Sequence, residues 1–267
     1  MTSRPWTRAL VTGASTGIGR EFVRQLAERG THVVLVARSE DDLQQLAGQL
    51  AEDHGVGTEV LTADLTQRND LERVETRLRD EDEPVDLLVN NAGFGTGGQF
   101  DELDLDREVS EIRLNVLAVT RLTHAALGEM TRRGRGGILN VSSNAAWQPV
   151  PYMATYGGTK AFVSSFTQAV HEEARGTGVH VTLLEPGFTR TRFQEVADVD
   201  ASTRQLPDAV WMEPGPVVTA ALEGVRKNRG RVVPGWMNKV AGAFSTVSPP
   251  VAGRKIAGRV FEGEVRS

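Results

Sequence analysis

A tyrosine and a lysine four residues apart, Tyr156 and Lys160, follow a serine, Ser143, that stands thirteen residues before the tyrosine. A phenol with an ordinary pKa of about 10 is a poor acid or base at neutral pH. A lysine one helical turn away shares its helix face, and the lysine charge favours the phenolate, pulling the pKa toward the working range. A serine hydroxyl from another element would hold a carbonyl or alcohol oxygen against the phenol. Such parts suit proton transfer to or from an alcohol. Any amphipathic helix can carry Tyr-x-x-x-Lys, so its meaning rests on what surrounds it.

Three surrounding signals agree. Thr12-Gly13-Ala14-Ser15-Thr16-Gly17-Ile18-Gly19 follows the apolar Ala9-Leu10-Val11, and Ile18, Phe22, Val23 and Leu26 then recur at helical spacing. The glycines therefore join a buried strand to a helix, where free N–H groups and the positive dipole end suit a pyrophosphate. Their order is G-x-x-x-G-x-G, not the G-x-G-x-x-G dinucleotide fingerprint. The next strand ends in Ala37-Arg38, with no carboxylate before Glu40. An acid there binds ribose hydroxyls and an arginine accommodates a 2′-phosphate, so Arg38 favours NADPH over NADH. Asp86-Leu87-Leu88-Val89-Asn90-Asn91-Ala92-Gly93 reads as a third strand ending in polar and small residues. Open α/β sheets bind ligands outside their carboxyl ends, which places Asn91 and Gly93 at the cofactor and leaves Asn90 tying neighbouring backbone together.

Together these residues resemble the short-chain dehydrogenase/reductase family, over nearly the whole chain from Thr7 to about Gly235. The resemblance implies a Rossmann-like, doubly wound parallel sheet of about seven strands in a single α/β domain, with helices on both faces. It implies a cofactor site of Gly13, Ser15, Thr16, Gly17, Ile18, Gly19, Arg38, Asp64, Leu65, Asn91, Ala92, Gly93, Tyr156, Lys160, Pro186, Gly187, Thr189 and Thr191. The catalytic set it implies is Asn115, Ser143, Tyr156 and Lys160, with Ser143 chosen over Ser142 on the family's spacing. Tyr156 would exchange the proton and Ser143 would steady the substrate oxygen. Lys160 would lower the Tyr156 pKa and hold the nicotinamide ribose, while Asn115 would anchor a relay water. Thr189 and Thr191 would orient the carboxamide. Asp64 is also a common type of helix N-cap. The family often has Tyr-x-Ala-Ser-Lys, whereas this chain has Gly157 and Gly158 inside the motif. Two glycines weaken a helix by roughly 1 kcal/mol each relative to alanine, unless they serve close packing or a ligand's approach.

The elements that must position these groups alternate along the chain, which argues for βαβ units. Strands are expected near 7–12, 31–37, 58–64, 86–90, 136–142, 179–185 and 231–233, and helices near 17–29, 40–53, 67–80, 106–132, 153–175 and 215–228. Residues 1–235 form the expected catalytic domain, with 190–214 as a substrate lid and 236–267 as an extension packing on that domain. Ala145, Trp147, Val150, Tyr152, Met153 and Phe94 are candidate pocket residues, favouring an apolar ketone, aldehyde or alcohol.

The chain has 267 residues, no cysteine and a formal net charge of −5. Disulfides, thiolate nucleophiles and Cys-ligated metals are excluded; no metal site is expected, and the charge gives no broad attraction for nucleic acid. No signal-like segment precedes the first strand, so a cytoplasmic location is the default expectation. No apolar run has the length of a membrane span. Basic residues in the tail leave a membrane-surface contact open beside plain packing. The helices near 106–132 and 153–175 resemble those of the family's dimer interface, pointing to a homodimer or homotetramer. The expected function is an NADP(H)-dependent oxidoreductase interconverting a carbonyl and an alcohol, with NAD(H) possible. Two alternatives stay open: a nucleotide-sensing binding protein without turnover, and a non-redox enzyme on the same scaffold.

Overall fold

The computed structural model describes residues 6–191, 193, 197, 207–236 and 238. The strands are β1 (Arg8–Thr12), β2 (His32–Ala37), β3 (Thr58–Thr62), β4 (Leu87–Asn90), β5 (Gly136–Val141), β6 (Val179–Leu184) and β7 (Arg231–Val232). All pair in parallel, in the order β3-β2-β1-β4-β5-β6-β7. The chain winds outward from β1 in one direction and from β4 in the other. A cleft therefore opens between them at the carboxyl edge, where sheets of this kind bind ligands.

Apolar runs such as Leu87-Leu88-Val89 are buried on both sides, as central parallel strands must be. Alternate residues feed two cores. On one face Val11, Leu35, Val89 and Leu139 pack against α1 (Gly17–Glu28), α2 (Glu40–His54) and α7 (Pro214–Arg226). On the other, Leu10, Val34, Leu88 and Ile138 pack against α3 (Arg68–Leu78), α5 (Val119–Arg133) and α6 (Ala154–Glu173).

The long helix expected near 106–132 is not uniform. It comprises α4 (Leu105–Ile112), a π-helical stretch Arg113–Ala118, and α5. No helix among the described residues is long and apolar enough to cross a membrane. The expected lid and C-terminal extension fall largely outside the described residues.

Two alternatives left open by the sequence are narrowed by the local packing. Gly158 has open space where a Cβ would point, and a Cβ at Gly157 would make ordinary contacts with Val150 at 3.5 Å. Neither glycine is required by close packing, and α6 runs unbroken through both. Asp64 does not cap α3, whose N-cap is Gln67; its carboxylate instead accepts from the Thr66 N–H at 3.0 Å and the Thr66 hydroxyl at 2.7 Å.

Candidate active site

At the β1–α1 turn, Gly13 (φ +66°) and Gly17 (φ +54°) adopt left-handed backbone that a side chain disfavours. A Cβ at Gly19 would lie 2.0 Å from the Gly13 carbonyl oxygen. Strand and helix thus approach as only glycine allows. Thr16, the N-cap of α1, makes no side-chain capping bond, and the first turn holds no acid. By contrast α2 opens with Glu40, Asp41 and Asp42. The positive end of α1 is left for an outside anion.

The Asn91 side chain braces this turn, donating to the carbonyls of Thr12 at 2.9 Å and Gly13 at 3.4 Å. Thr12 Oγ1 in turn accepts the Asn91 and Ala92 N–H groups, each at 3.0 Å. The Asn91 side-chain NH2 is thus engaged by the turn itself. Asn90, expected to tie neighbouring backbone together, instead joins side chains: its amide donates to Thr123 Oγ1 at 3.1 Å and Asn140 Oδ1 at 2.9 Å. Arg38 is exposed at the end of β2, Ser15 and Asp64 are half-buried, and Leu65 is buried.

Across the cleft, Ser143 follows β5 and Tyr156 and Lys160 lie on α6, all three buried. Ser142 and Ser143 are distinguished by their bonds. The Ser142 hydroxyl donates to the Lys160 carbonyl at 2.8 Å and contacts Ser164 Oγ at 2.8 Å, tying β5 to α6. The Ser143 hydroxyl accepts from the Ala145 N–H at 3.1 Å, donates to Asn144 Oδ1 at 3.4 Å, and acts on the Tyr156 phenol to lower its pKa.

The electrostatics overturn one expectation. Burial pushes the Tyr156 phenol up to about 12, against the Ser143 bond that lowers it, and the Glu111 charge raises it further. Burial likewise brings the Lys160 ammonium down to about 8, partly offset by Glu111. Lys160 Nζ is 5.7 Å from the tyrosine ring centre and donates to the Val141 carbonyl at 3.0 Å. Sharing a helix face was expected to pull the phenol down. Lost solvation is instead the dominant influence on both groups.

Asn115 lies in the π-helical stretch, buried, with its side chain engaged at both ends. It donates to the Phe94 carbonyl at 2.8 Å and Thr159 Oγ1 at 3.1 Å, and accepts the Phe94 N–H at 3.3 Å. Gly93 sits where a Cβ would lie 2.9 Å from Asn115 Oδ1 and 3.3 Å from Lys160 Nζ, and one at Gly95 would lie 2.9 Å from the Tyr156 ring. The segment after β4 is thus laid directly on the catalytic groups.

The segment after β6 closes the cleft. The Pro186 carbonyl accepts the Asn144 N–H at 3.0 Å, and a Cβ on Gly187 would lie 2.5 Å from Asn238 Oδ1. Buried Thr189 donates to the Gly187 carbonyl at 3.0 Å, and Thr191 packs against Gly17. Beside the phenol lies an apolar group of Met153, Ala197, Ala145, Val150, Tyr152 and Phe193, with the Phe193 ring 5.1 Å from Tyr156. Trp147, expected in this pocket, instead stacks under Arg231 at 5.4 Å.

Sequence reasoning missed Glu108, Glu111, Thr96 and Thr159. Glu111 precedes Asn115 by four residues and Thr159 adjoins Lys160, so helical spacing from the recognised residues was the available signal.

Known proteins align with this geometry. The family profile described as short chain dehydrogenase matches residues 7–201. A very-long-chain 3-oxoacyl-CoA reductase of Anas platyrhynchos is 36% identical over 194 residues, 71% of this chain and 62% of that protein. This chain therefore spans less than two thirds of that relative's length. A short-chain dehydrogenase from Sphingobium yanoikuyae, solved in complex with NADPH, is 36% identical with a TM-score of 0.80, covering 90% of this chain and 94% of that one. The bulky-bulky ketone specific alcohol dehydrogenase of Comamonas testosteroni is 34% identical with a TM-score of 0.77, covering 91% and 94%. The profile spans well over half the sequence, and the glycine turn, the buried serine–tyrosine–lysine group and the sheet order all lie within or around it: this chain belongs to the short-chain dehydrogenase family.

Proposed function

We propose that the protein is an NADP(H)-dependent reductase of a bulky, largely apolar ketone or aldehyde. The observation that carries this reading is the placement of Ser143, Tyr156 and Lys160 together at the sheet's carboxyl edge, across the cleft from an α1 terminus without acid or cap. The glycine turn fits a dinucleotide, because the α1 N-terminus it leads into carries neither an acid in its first turn nor a side-chain cap. A bound reduced nicotinamide supplies hydride.

The protein's own residues handle the oxygen. Tyr156 holds its proton throughout the working range, its pKa being about 12, so it meets a carbonyl as an acid. Ser143 donates to the substrate oxygen as charge develops there. Lys160 holds the ribose and its charge favours the phenolate once the proton has left. The Asn115 side chain, engaged by Phe94 and Thr159, ties the segment after β4 to α6 beside the place a relay water would take. Gly13, Ser15, Thr16, Gly17, Ile18 and Gly19 hold the pyrophosphate, Arg38 takes the 2′-phosphate, and Asp64 and Leu65 flank the adenine. Ala92, Gly93, Pro186 and Gly187 border the nicotinamide, which Thr189 and Thr191 orient.

The substrate class is supported by the apolar group around Phe193 and Met153, and by the bulky-ketone and 3-oxoacyl relatives. Pairing of two copies across α4, the π-helical stretch and α6 is supported by exposed Ile112, Leu117 and Phe162.

The test is NADPH oxidation, with NADH in parallel, across aromatic ketones, 3-oxoacyl thioesters and steroid ketones. Consumption with at least one of them, abolished in Tyr156→Phe, is expected. Undiminished consumption in Tyr156→Phe would defeat the assignment.

A further inference from the structure

A buried carboxylate stands behind the catalytic serine, and the mechanism above does not use it. Glu185, the residue after β6, is 1% exposed and immediately precedes Pro186 and Gly187. Its Oε1 accepts from Ser164 Oγ at 2.8 Å, and its Oε2 accepts from Nε of Arg231 on β7. Holding a charge out of water is costly unless the charge is paired and hydrogen-bonded. Both oxygens of Glu185 are engaged in that way.

Each partner of Glu185 leads to a catalytic group. Ser164 lies on α6, one turn after Lys160, and its Oγ contacts Ser142 Oγ at 2.8 Å. Ser142 donates to the Lys160 carbonyl at 2.8 Å, so this branch fastens the helix of Tyr156 and Lys160 to the end of β5. In the other direction the Arg231 guanidinium lies 5.4 Å from the centre of the Trp147 ring. Trp147 ends the short 3₁₀ helix Asn144–Trp147, and Ser143 is the N-cap of that helix. Its first residue is held as well, because the Asn144 N–H donates to the Pro186 carbonyl at 3.0 Å. Glu185 and Pro186 thus secure both ends of the turn that follows Ser143, while Glu185 also secures α6. The serine and the tyrosine–lysine helix take their separation from one carboxylate.

We propose that Glu185 and Arg231 are positioning residues that set the place of the Ser143 hydroxyl relative to Tyr156, acting through Trp147 on one side and Ser164 on the other. The inference rests on the reductase reading. During reduction Ser143 and Tyr156 must address the same substrate oxygen, and a misplacement of about 1 Å can cost about a hundredfold in rate. Arginine suits this post because its planar group pairs with a carboxylate and stacks on an aromatic face, which lysine does less well. Neither residue takes part in a bond that forms or breaks. Their effect is on alignment, so it belongs to the chemical step and not to NADPH binding.

Kinetics of the full chain, run well below every melting temperature, test this. Glu185→Gln keeps the side-chain shape and lets the exposed Arg231 turn to water, so its fold is preserved. It should lower kcat about tenfold while KM for NADPH stays within about twofold. The deuterium isotope effect with NADPD should rise, as the chemical step becomes the slow one. Combining Glu185→Leu with Arg231→Met replaces the pair by apolar groups of similar volume, an exchange that is often neutral or stabilising. This double variant should melt at or above wild type and still show the lowered kcat. Trp147→Phe keeps an aromatic face under the guanidinium and should hold kcat within about twofold, whereas Trp147→Leu should lose rate as Glu185→Gln does. A wild-type kcat in Glu185→Gln or in the double variant overturns the inference. So does a loss confined to KM, equal losses in the two Trp147 variants, or a kcat that falls only in step with the melting temperature. A wild type that oxidises no NADPH with any carbonyl defeats the reductase reading, and the positioning role with it.

Discussion

Around β1 and α1 the cleft is made of main chain, whereas around β5 and α6 it is made of buried side chains. Gly13, Gly17 and Gly19 contribute no side-chain atoms, and what they offer is close approach and a helix terminus. Ser143, Tyr156, Lys160 and Glu111 contribute titratable or hydrogen-bonding atoms held out of water. A main-chain site barely responds to pH but tolerates no added atom. A side-chain site tolerates isosteric change, yet its chemistry is set by desolvation and by the charge of its neighbours. Binding and turnover should therefore fail separately.

The sharpest break should come from Tyr156→Phe. Turnover is expected to fall at least about a thousandfold, while NADPH affinity by fluorescence titration stays within about threefold, since one hydroxyl on the far side of the cleft is removed. Collapse of both together would dissolve the distinction. Gly19→Ala should do the reverse. Its Cβ would meet the Gly13 carbonyl oxygen at 2.0 Å, and overpacking of this kind costs about 1–3 kcal/mol. Calorimetry should find NADPH binding weakened about a hundredfold and a lowered melting temperature. Normal binding would mean the turn is not the cofactor cradle.

Glu111→Gln sharpens the comparison through pH. The native carboxyl is raised from 4.5 to about 7, so the native state binds the extra proton between those values. Stability from this group is complete below pH 4.5 and is lost as pH rises through 7. Glu111→Gln should melt above wild type at pH 8, by on the order of 2 kcal/mol, and equal to it at pH 4.5. A difference independent of pH would point to packing alone. The mildest change is expected from exposed Arg38. Arg38→Ala should lower the NADPH-to-NADH ratio of kcat/KM by about tenfold, the scale of one charge-assisted bond, without moving kcat.

The same contrast governs what could be read in advance. The glycine turn was legible because positive φ and close approach single out one residue type, and because Ile18, Phe22 and Leu26 mark the helix that follows. Tyr156 and Lys160 were legible by spacing, and the strands by their unbroken apolar runs. The direction of the Tyr156 shift was not, because desolvation depends on what covers a group, and here the covering comes from Gly95, Met153 and Phe193. Gly157 and Gly158 invited a packing explanation that their surroundings do not support. Trp147 was assigned to the pocket by adjacency, but its ring found the Arg231 guanidinium. Glu111 looked like one more acid on an amphipathic helix, since nothing in its neighbours along the chain announces the threonine, Thr96, that it shares with Glu108.

The π-helical stretch Arg113–Ala118 has its own consequence. An α-helix turns by about 100° per residue, so the residue accommodated by a π bulge resets the rotational phase of everything beyond it. Before the stretch, Glu108 and Glu111 are phased to the catalytic pocket. After it, Leu122, Ala125, Ala126 and Met130 are phased to the sheet. One helix thus serves two unrelated faces, and the stretch acts as its gearbox. Loss of a single residue here would leave a better α-helix and force it to choose between seating the buried acids and covering the sheet.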